Sequence, residues 1–276
     1  MTSPWTVERW ISSPDEVEYS AYWNDAEAER GKAWDVSAGG FEGVERYLGE
    51  VGLTSDLHAC LQAAEAHRGH PLRGMGIDVA AGTLWAAPIL LADPQVARLW
   101  CVEFSQHRLL EIGPLMLEHY GVPADRVVLA LGSFYDLKLP DASLDFAFLS
   151  QAFHHADRPQ DLLAELRRVL AADGVVVIVG EHRIRRSQFA RYYLAAAMPD
   201  AARRRLAPGF VGGRRTLRPR GGDLEPTDPV LGDHTYRDHE YRDLFRTAGF
   251  RMQRLRERGA HYQSFLLYPE VTGVQP

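Results

Sequence analysis

Residues 76–83, Gly-Ile-Asp-Val-Ala-Ala-Gly-Thr, combine a short apolar strand with a tight turn around a single glycine. An apolar helix through Leu90 and Leu91 is expected after this turn, and residues 99–102, Leu-Trp-Cys-Val, predict a second strand. A chain that alternates between apolar strands and helices favours a parallel sheet with helices on both faces. This stretch therefore predicts an α/β protein.

The same alternation continues toward the C-terminus. Further strands are predicted at 127–131, 145–149 and 175–179, and residues 250–256 and 262–268 predict a closing, hairpin-like pair. The clearest helix lies between the fourth and fifth strands, and its apolar face is formed by Leu162, Leu163, Leu166, Val169 and Leu170. We therefore expect a doubly wound, mostly parallel sheet of seven strands, with helices on both faces and an antiparallel C-terminal strand.

The first 70 residues have a different composition. They are rich in helix formers and aromatic residues, contain no convincing strand run, and predict a helical N-terminal cap over residues 1–70. The aromatic side chains either pack against the main domain or form a lid over a ligand cleft. The main domain is expected over 71–276, with an arginine-rich segment inserted at about 183–233.

Composition excludes several classes of protein. A formal net charge of −6 over 276 residues argues against general nucleic-acid binding, which needs a basic face. Two cysteines, Cys60 and Cys101, without a CxxC pair argue against a disulfide scaffold or a structural zinc site. The N-terminus lacks the pattern of a secretory signal, and no apolar run reaches the roughly 20 residues of a membrane span. We therefore expect a cytoplasmic protein without a membrane partner.

The first turn and the second strand predict the ligand site. In a doubly wound sheet, ligands bind beyond the carboxyl ends of the strands, where the strand order reverses. Gly82 lies in the first turn, and Glu103 ends the second strand 21 positions later, where an acid can accept hydrogen bonds from ribose hydroxyls. A pyrophosphate would need G-x-G-x-x-G after the strand, whereas Gly74 and Gly76 precede it. An adenosine-type ligand without phosphates fits better.

Residues 77–83, Ile-Asp-Val-Ala-Ala-Gly-Thr, resemble the first motif of class I (Rossmann-like) S-adenosylmethionine-dependent methyltransferases, small-molecule type. The resemblance continues through Glu103, 132–146, 149–158 and 168–175, although Leu84 replaces an expected glycine. It implies that S-adenosylmethionine is the cofactor and that Glu103 binds its ribose. Residues nearby would contact its methionine and adenine portions. Carried over by position, the cofactor residues would be Asp78, Ala80, Ala81, Gly82, Glu103, Ser133, Phe134 and Gln151. Ala80 also replaces a glycine, and Ser133 stands where an aspartate is common.

Two histidines are the candidate catalytic residues. His154 and His155 follow the fourth strand, and imidazoles titrate near neutral pH, so either could act as a general base toward an acceptor hydroxyl. Both also admit a purely structural role. Glu181, His182 and Arg186 are candidate acceptor contacts after the fifth strand. An acidic and histidine cluster at 233–240 is interpreted as the charged start of a helix, and no metal site is predicted.

The sequence therefore predicts an enzyme that transfers a methyl group from S-adenosylmethionine to a small molecule, with natural products and anionic compounds among the acceptor classes. The same fold also serves cyclases and decarboxylases, and a non-catalytic binding protein with a decayed cofactor site is a further alternative. The glycines that precede the first strand, instead of following it, argue against a dinucleotide-dependent oxidoreductase. No nucleic-acid partner is expected, and the oligomeric state is left open, with a homodimer as one alternative.

Overall fold

A computed structural model of the protein describes residues 4–182, 186–207, 232–255 and 262–270. A single eight-stranded sheet forms its centre, with the strand order β1-β4-β3-β2-β5-β6-β8-β7. All neighbouring strands are parallel except for β8, which runs antiparallel to both β6 and β7. The strands are β1 (Thr6–Arg9), β2 (Gly74–Val79), β3 (Val96–Glu103), β4 (Val127–Leu131), β5 (Leu144–Ser150), β6 (Leu170–His182), β7 (Phe250–Leu255) and β8 (Tyr262–Pro269).

The helices lie on both sides of this sheet. Within the described ranges they are α1 (Ser20–Trp23), α2 (Ala26–Glu29), α3 (Val36–Glu50), α4 (Leu53–Arg68), α5 (Ala87–Leu90), α6 (Gly113–His119), α7 (Pro159–Val169), α8 (Arg186–Ala195), α9 (Asp200–Leu206) and α10 (Asp238–Thr247). Among the described residues, no helix has the length and apolar character needed to span a membrane.

The predicted fold class is confirmed. All seven predicted strands are present, and the last two form the expected antiparallel pair. The chain builds the sheet outward from β2 in one direction through β3 to β4, and in the other through β5 to β6. The strand order therefore reverses between β2 and β5, which places the expected ligand crevice at their carboxyl ends.

The expectation of no strand before residue 70 is wrong. Thr6–Arg9 forms β1, which pairs in parallel with β4 at the edge of the sheet. Three of its four residues are exposed and the fourth is half-buried, so the segment lacks the apolar run from which buried strands are recognised. Main-chain hydrogen bonding to β4 holds it in place.

Alternate residues of the central strands enter two separate cores. Phe146 and Phe148 of β5 pack with α4 and α6 on one face. Ala147 and Leu149 pack with α7 and α10 on the other. The helix α4 contacts β6 and β8 directly, so the N-terminal 70 residues contribute one of the helices that pack against the sheet. The boundary between cap and main domain stays a prediction.

The helix after β3 shows how local sequence shapes the site. It begins with a π-helical turn at Arg108–Ile112 and continues as α6 from Gly113. Pro114 has no N–H for the helix ladder and lies in the first turn of α6, where this loss is tolerated. The hydroxyl of Ser105 accepts a hydrogen bond from the Arg108 N–H at 3.3 Å, as expected of an N-terminal cap.

Candidate functional site

A cleft of about 390 Å³ opens at the carboxyl ends of β2, β3 and β5. This volume lies within the range of small-molecule sites, roughly 300–1,000 Å³. The cleft joins ten of the residues predicted from the sequence: Asp78, Ala80, Ala81, Gly82, Glu103, Phe134, Gln151, His154, His155 and His182. The roles predicted for them remain predictions, but their common location follows from the reversal of strand order.

The turn after β2 keeps a glycine-like backbone although only one glycine is present. Ala80, Gly82 and Leu84 all have left-handed φ angles, of 54°, 55° and 65°. Such a conformation costs a residue with a side chain about 1 kcal/mol. Leu84 is fully buried in the core, so packing can offset that cost there. The turn therefore follows a path that glycines would allow more easily.

The carboxylate of Glu103 organises this turn. Its Oε2 accepts the Gly82 N–H at 2.9 Å, and its Oε1 accepts the N–H groups of Phe104 and Ser105, each at 2.9 Å. A carboxylate offers about four acceptor positions, so main-chain donors occupy three of them. Oε2 accepts only one of these hydrogen bonds, and Glu103 lines the cleft. Asp78 lies beneath, where burial, together with the charge of Glu103, raises the pKa of its carboxyl well above the usual value.

The N-terminal segment supplies one wall of the cleft. Trp23 and Trp34 line the cleft, and the guanidinium of Arg108 lies 4.5 Å and 5.5 Å from their ring centres. Arg108 also pairs with the fully buried Glu29 at 2.6 Å. The aromatic composition hinted at a lid, but no local signal links Glu29 to an arginine 79 positions away.

His154 is buried at the other end of the cleft, against Glu181. Its Nδ1 lies 3.1 Å from Oε2 of Glu181, and the same carboxylate accepts the Phe153 N–H at 3.1 Å and the Tyr241 hydroxyl at 3.3 Å. Burial lowers the pKa of His154 to about 4, outweighing the opposite effect of Glu181. The imidazole is therefore neutral at physiological pH.

A bulge in β6 directs Glu181 toward His154. The pairing of β6 with β8 shifts register between Ile178 and Glu181, at Gly180. Gly180 has a φ of 75°, and a Cβ there would approach Leu53 to 2.5 Å. Burial alone would raise the pKa of the Glu181 carboxyl, but its interactions with His154 outweigh burial and lower it.

Asp233 completes a polar cluster with the histidines. One of its oxygens lies 3.0 Å from Nδ1 of His155 and the other 3.6 Å from Nε2 of His182. Burial alone would lower the pKa of His182, but Asp233 raises it above its ordinary value. Burial alone would raise the pKa of Asp233, and the neighbouring histidines lower it well below its usual range. Asp233 was assigned to a helix start from the sequence, and its place in the site was missed.

The neighbouring His234 anchors Asp233. Its N–H donates to the carbonyl of His154 at 2.7 Å, and its Nε2 contacts Asp157 at 2.9 Å. His234 is almost completely buried, so this stretch of chain is held firmly beside the end of β5.

Three of the predicted site residues lie elsewhere. Ser133 lines a smaller adjoining cavity of about 180 Å³ with Phe134 and Arg158. Glu181 is fully buried behind His154 and does not line the cleft, so the expected direct contact with an acceptor does not fit its position. The side chain of Arg186 lies outside the described part of the structure. The same is true of residues 183–185 and 208–231 of the arginine-rich segment.

Comparison with known proteins agrees with this architecture. A family model described as "Methyltransferase domain" matches residues 77–178, and no curated protein matches the sequence. A 1,6-didemethyltoxoflavin-N1-methyltransferase from Burkholderia thailandensis, solved with 1,6-didemethyltoxoflavin and S-adenosylhomocysteine bound, is 18% identical. Its TM-score is 0.54, over 95% of this chain and 92% of its own.

A provisionally named methyltransferase, solved in complex with the Haloferax volcanii Trm112 methyltransferase activator, is 16% identical, with a TM-score of 0.52. The match covers 84% of this chain and 97% of that one. At such identities the solved structures show only that the fold is shared. The family model is the evidence that residues 77–178 resemble a methyltransferase domain. The chain thus has the fold of these methyltransferases, and its residues 77–178 match a methyltransferase domain.

Proposed function

We propose that the protein transfers the methyl group of S-adenosylmethionine to a small-molecule acceptor. The observation that carries the proposal is a single cleft with the turn at Gly82 and Glu103 on one side and three histidines on the other. A cofactor bound along β2 and β3 would present its sulfonium methyl toward His154, His155 and His182. This arrangement joins a cofactor site to a polar site for the methyl acceptor.

The proposed cofactor contacts follow the described geometry. The open acceptor position on Glu103 receives one ribose hydroxyl, because main-chain donors occupy the other positions. The backbone of Ala80, Ala81 and Gly82 lies against the methionine portion, where small residues allow close approach. Asp78 orders the turn from below, and Gln151 lies on the methionine side. Adenine lies toward the smaller cavity, against Ser133 and Phe134.

Arg108 is a further proposed contact for the cofactor. Its guanidinium borders the cleft beside Gly82, and an added Cβ at Gly82 would lie 3.9 Å from it. Guanidinium groups bind carboxylates with two hydrogen bonds, and the methionine end of the cofactor carries a carboxylate. Glu29 already holds part of this guanidinium, so the pair positions Arg108 rather than leaving it mobile.

A small acceptor fits the enclosure of the site. Trp23 and Trp34 cover the cleft from the N-terminal segment, and the net charge of −6 does not suit a nucleic-acid substrate. The structurally similar Burkholderia protein holds a small heterocycle beside S-adenosylhomocysteine, which supports the same class of acceptor here. The aromatic walls favour a flat acceptor that stacks between them.

The chemistry requires positioning more than covalent help. A sulfonium is already activated, so the rate depends on holding the nucleophile, the methyl carbon and the sulfur in line. The S–CH₃ bond breaks as the bond to the acceptor forms, and S-adenosylhomocysteine leaves. His154, His155 and His182, with Asp233, receive the acceptor's polar group and ease loss of its proton. Glu181 positions His154 from behind.

The backbone of the first turn argues against a decayed cofactor site. Ala80 and Leu84 replace glycines of the family, yet both retain left-handed φ angles. A turn released from cofactor binding would have no reason to keep two strained residues in this conformation. The proposal therefore favours a working cofactor site over a purely structural remnant.

Calorimetric titration with S-adenosylhomocysteine tests the cofactor site. We expect binding by the wild type and at least tenfold weaker binding by Glu103→Gln, a loss of about 1.4 kcal/mol. The side-chain amide of glutamine has one NH₂ group in place of an oxygen. That NH₂ group would face main-chain N–H donors and could not accept their hydrogen bonds. Glu111→Gln is the matched control, because its carboxylate is 64% exposed and pairs only with His107 in the described structure.

The transfer itself is tested by mass spectrometry of candidate small molecules incubated with enzyme and S-adenosylmethionine. A product heavier by one methyl group, with equal formation of S-adenosylhomocysteine, is the expected result. A folded wild type that does not bind S-adenosylhomocysteine would refute the proposal. Binding with conversion of acceptors but without methylation would favour a cyclase or decarboxylase.

A further inference from the structure

Two histidines and an aspartate meet at the acceptor end of the cleft. His154, His155 and Asp233 each offer one ligand atom, and these atoms all lie within 4.8 Å of one another. One pair of these atoms, Nδ1 of His155 and Oδ1 of Asp233, is 3.0 Å apart. Ligands bound at about 2.1 Å to one ion are about 3.0–3.4 Å apart, so this pair already has suitable spacing.

The two atoms of this pair are close enough for an ion pair, but their contact lacks the geometry of a hydrogen bond. Both are buried, and neither Nδ1 of His155 nor Oδ1 of Asp233 has a hydrogen-bond partner among the described residues. A buried polar atom without a partner is costly unless something else satisfies it. A cation between the two atoms and His154 would satisfy both.

His154 has the surroundings of a metal-binding histidine. Its Nδ1 contacts Glu181 at 3.1 Å, which leaves Nε2 as the ring nitrogen for another ligand. Histidines that bind metals usually donate their second N–H to a carboxylate, which sets the orientation of the ring. Glu181 is itself held by the N–H of Phe153 and the hydroxyl of Tyr241, so this support is fixed.

Asp233 is positioned for the same purpose. His234 binds the main chain at His154 and the side chain of Asp157, which fixes the next residue, Asp233, opposite the histidines. The cluster borders the cleft through His154, His155 and Asp233, so an ion there would be accessible from the acceptor side.

We infer that His154, His155 and Asp233 bind one divalent first-row transition-metal ion, with open positions facing the cleft. Two imidazoles and one carboxylate suit ions such as zinc or iron(II), whereas magnesium and calcium prefer oxygen ligands. No metal site was predicted from the sequence.

The role of the ion rests on the proposed methyl transfer. An oxygen acceptor binds at an open position, and the ion lowers the pKa of its hydroxyl, so the proton leaves to solvent. The acceptor oxygen then forms its bond to the methyl carbon as the S–CH₃ bond breaks. The products are the methyl ether, S-adenosylhomocysteine and the released proton. The inference therefore points to hydroxyl-bearing acceptors that can bind a metal.

Cobalt(II) is a suitable probe because its visible absorption reports the ligand field. We expect metal-free wild type to bind one equivalent of cobalt(II), and Asp233→Ala and His155→Ala to lose at least about 100-fold in affinity. His107→Ala is the matched control, since His107 also contacts a carboxylate, Glu111, at 2.8 Å but belongs to no three-ligand group in the described structure. Its cobalt affinity should equal that of the wild type.

Titration of the same preparations with S-adenosylhomocysteine separates the two proposals. Wild type that binds S-adenosylhomocysteine but not cobalt(II) would overturn the metal site and leave the methyl transfer intact. Cobalt binding without S-adenosylhomocysteine binding would overturn the methyl transfer alone. Equal cobalt binding by wild type and Asp233→Ala would place the ion elsewhere and also overturn the inference. S-adenosylhomocysteine binding by the variants shows that they remain folded.

Discussion

Replacing Arg108 by methionine should destabilise the fold by about 3–5 kcal/mol. Glu29 is fully buried, and its Oε2 accepts Nε of Arg108 at 2.8 Å and Nε1 of Trp34 at 2.7 Å, with a second guanidinium nitrogen at 2.6 Å. Its Oε1 has no hydrogen-bond partner in the described structure. Removing Arg108 therefore leaves a buried carboxylate with only the indole, and breaking a buried pair from one side typically costs this amount.

A double-mutant cycle isolates the pair. Glu29→Gln removes the buried charge, so Arg108→Met should cost at least about 2 kcal/mol less in that background than in the wild type. Arg30→Met is the matched control, because Arg30 pairs with Glu27 at the surface, where the two side chains are 67% and 73% exposed. Such a pair contributes about 0.5 kcal/mol or less.

Unfolding in urea, followed by circular dichroism, measures these free energies. If Arg108→Met costs no more than Arg30→Met, or if Glu29→Gln does not reduce its effect, Arg108 does not stabilise the buried carboxylate. Titration with S-adenosylhomocysteine gives a second readout. Loss of Arg108 also releases Trp23 and Trp34 from the cation above their rings, so binding should weaken together with stability.

Three further changes test other parts of the structure. Ala80→Gly should raise the free energy of urea unfolding by up to about 1 kcal/mol, because glycine tolerates the φ of 54°; destabilisation would contradict this. The pKa of His154 lies near 4 in the folded protein and near 6.5 when unfolded, so the unfolded state binds more protons between these values. Stability should therefore fall by up to about 3 kcal/mol as the pH decreases from 6.5 to 4, and His154→Gln should flatten this slope in urea titrations at several pH values. Arg168→Met should cost about 1–3 kcal/mol, because Arg168 donates to the carbonyls of Leu137 and Leu139 at 2.7 Å and 2.8 Å; an unchanged urea midpoint would show that this loop needs no such anchor.

Periodicity in the sequence was sufficient for the central fold. Strands buried on both faces are apolar throughout, and α7 places its leucines on one side, so both are visible within a short window. The edge strand β1 was not visible in this way, since most of its residues are exposed and its pairing with β4 is made by the main chain. The pattern of apolar residues therefore indicates which segments are buried, and a strand that is exposed does not show it.

The side of the cleft that is proposed to bind the cofactor was also largely predictable. Gly82 and Glu103 come at the ends of neighbouring strands, and parallel strands bring those ends together. What could not be predicted is that three main-chain N–H groups already occupy most of the Glu103 carboxylate. Their directions depend on left-handed turn residues, which local composition alone does not reveal.

The fold class and the positions of the main strands along the chain could be predicted from the sequence alone, and so could the turn at Gly82 that is proposed to bind the cofactor. These follow from repeating burial along one stretch of chain, which is a local property. Three contacts are seen only in the folded structure: Arg108 pairs with Glu29, Glu181 lies behind His154, and Asp233 faces His155. Each of these contacts joins residues far apart in sequence, and their meeting depends on how loops pack at the end of the sheet.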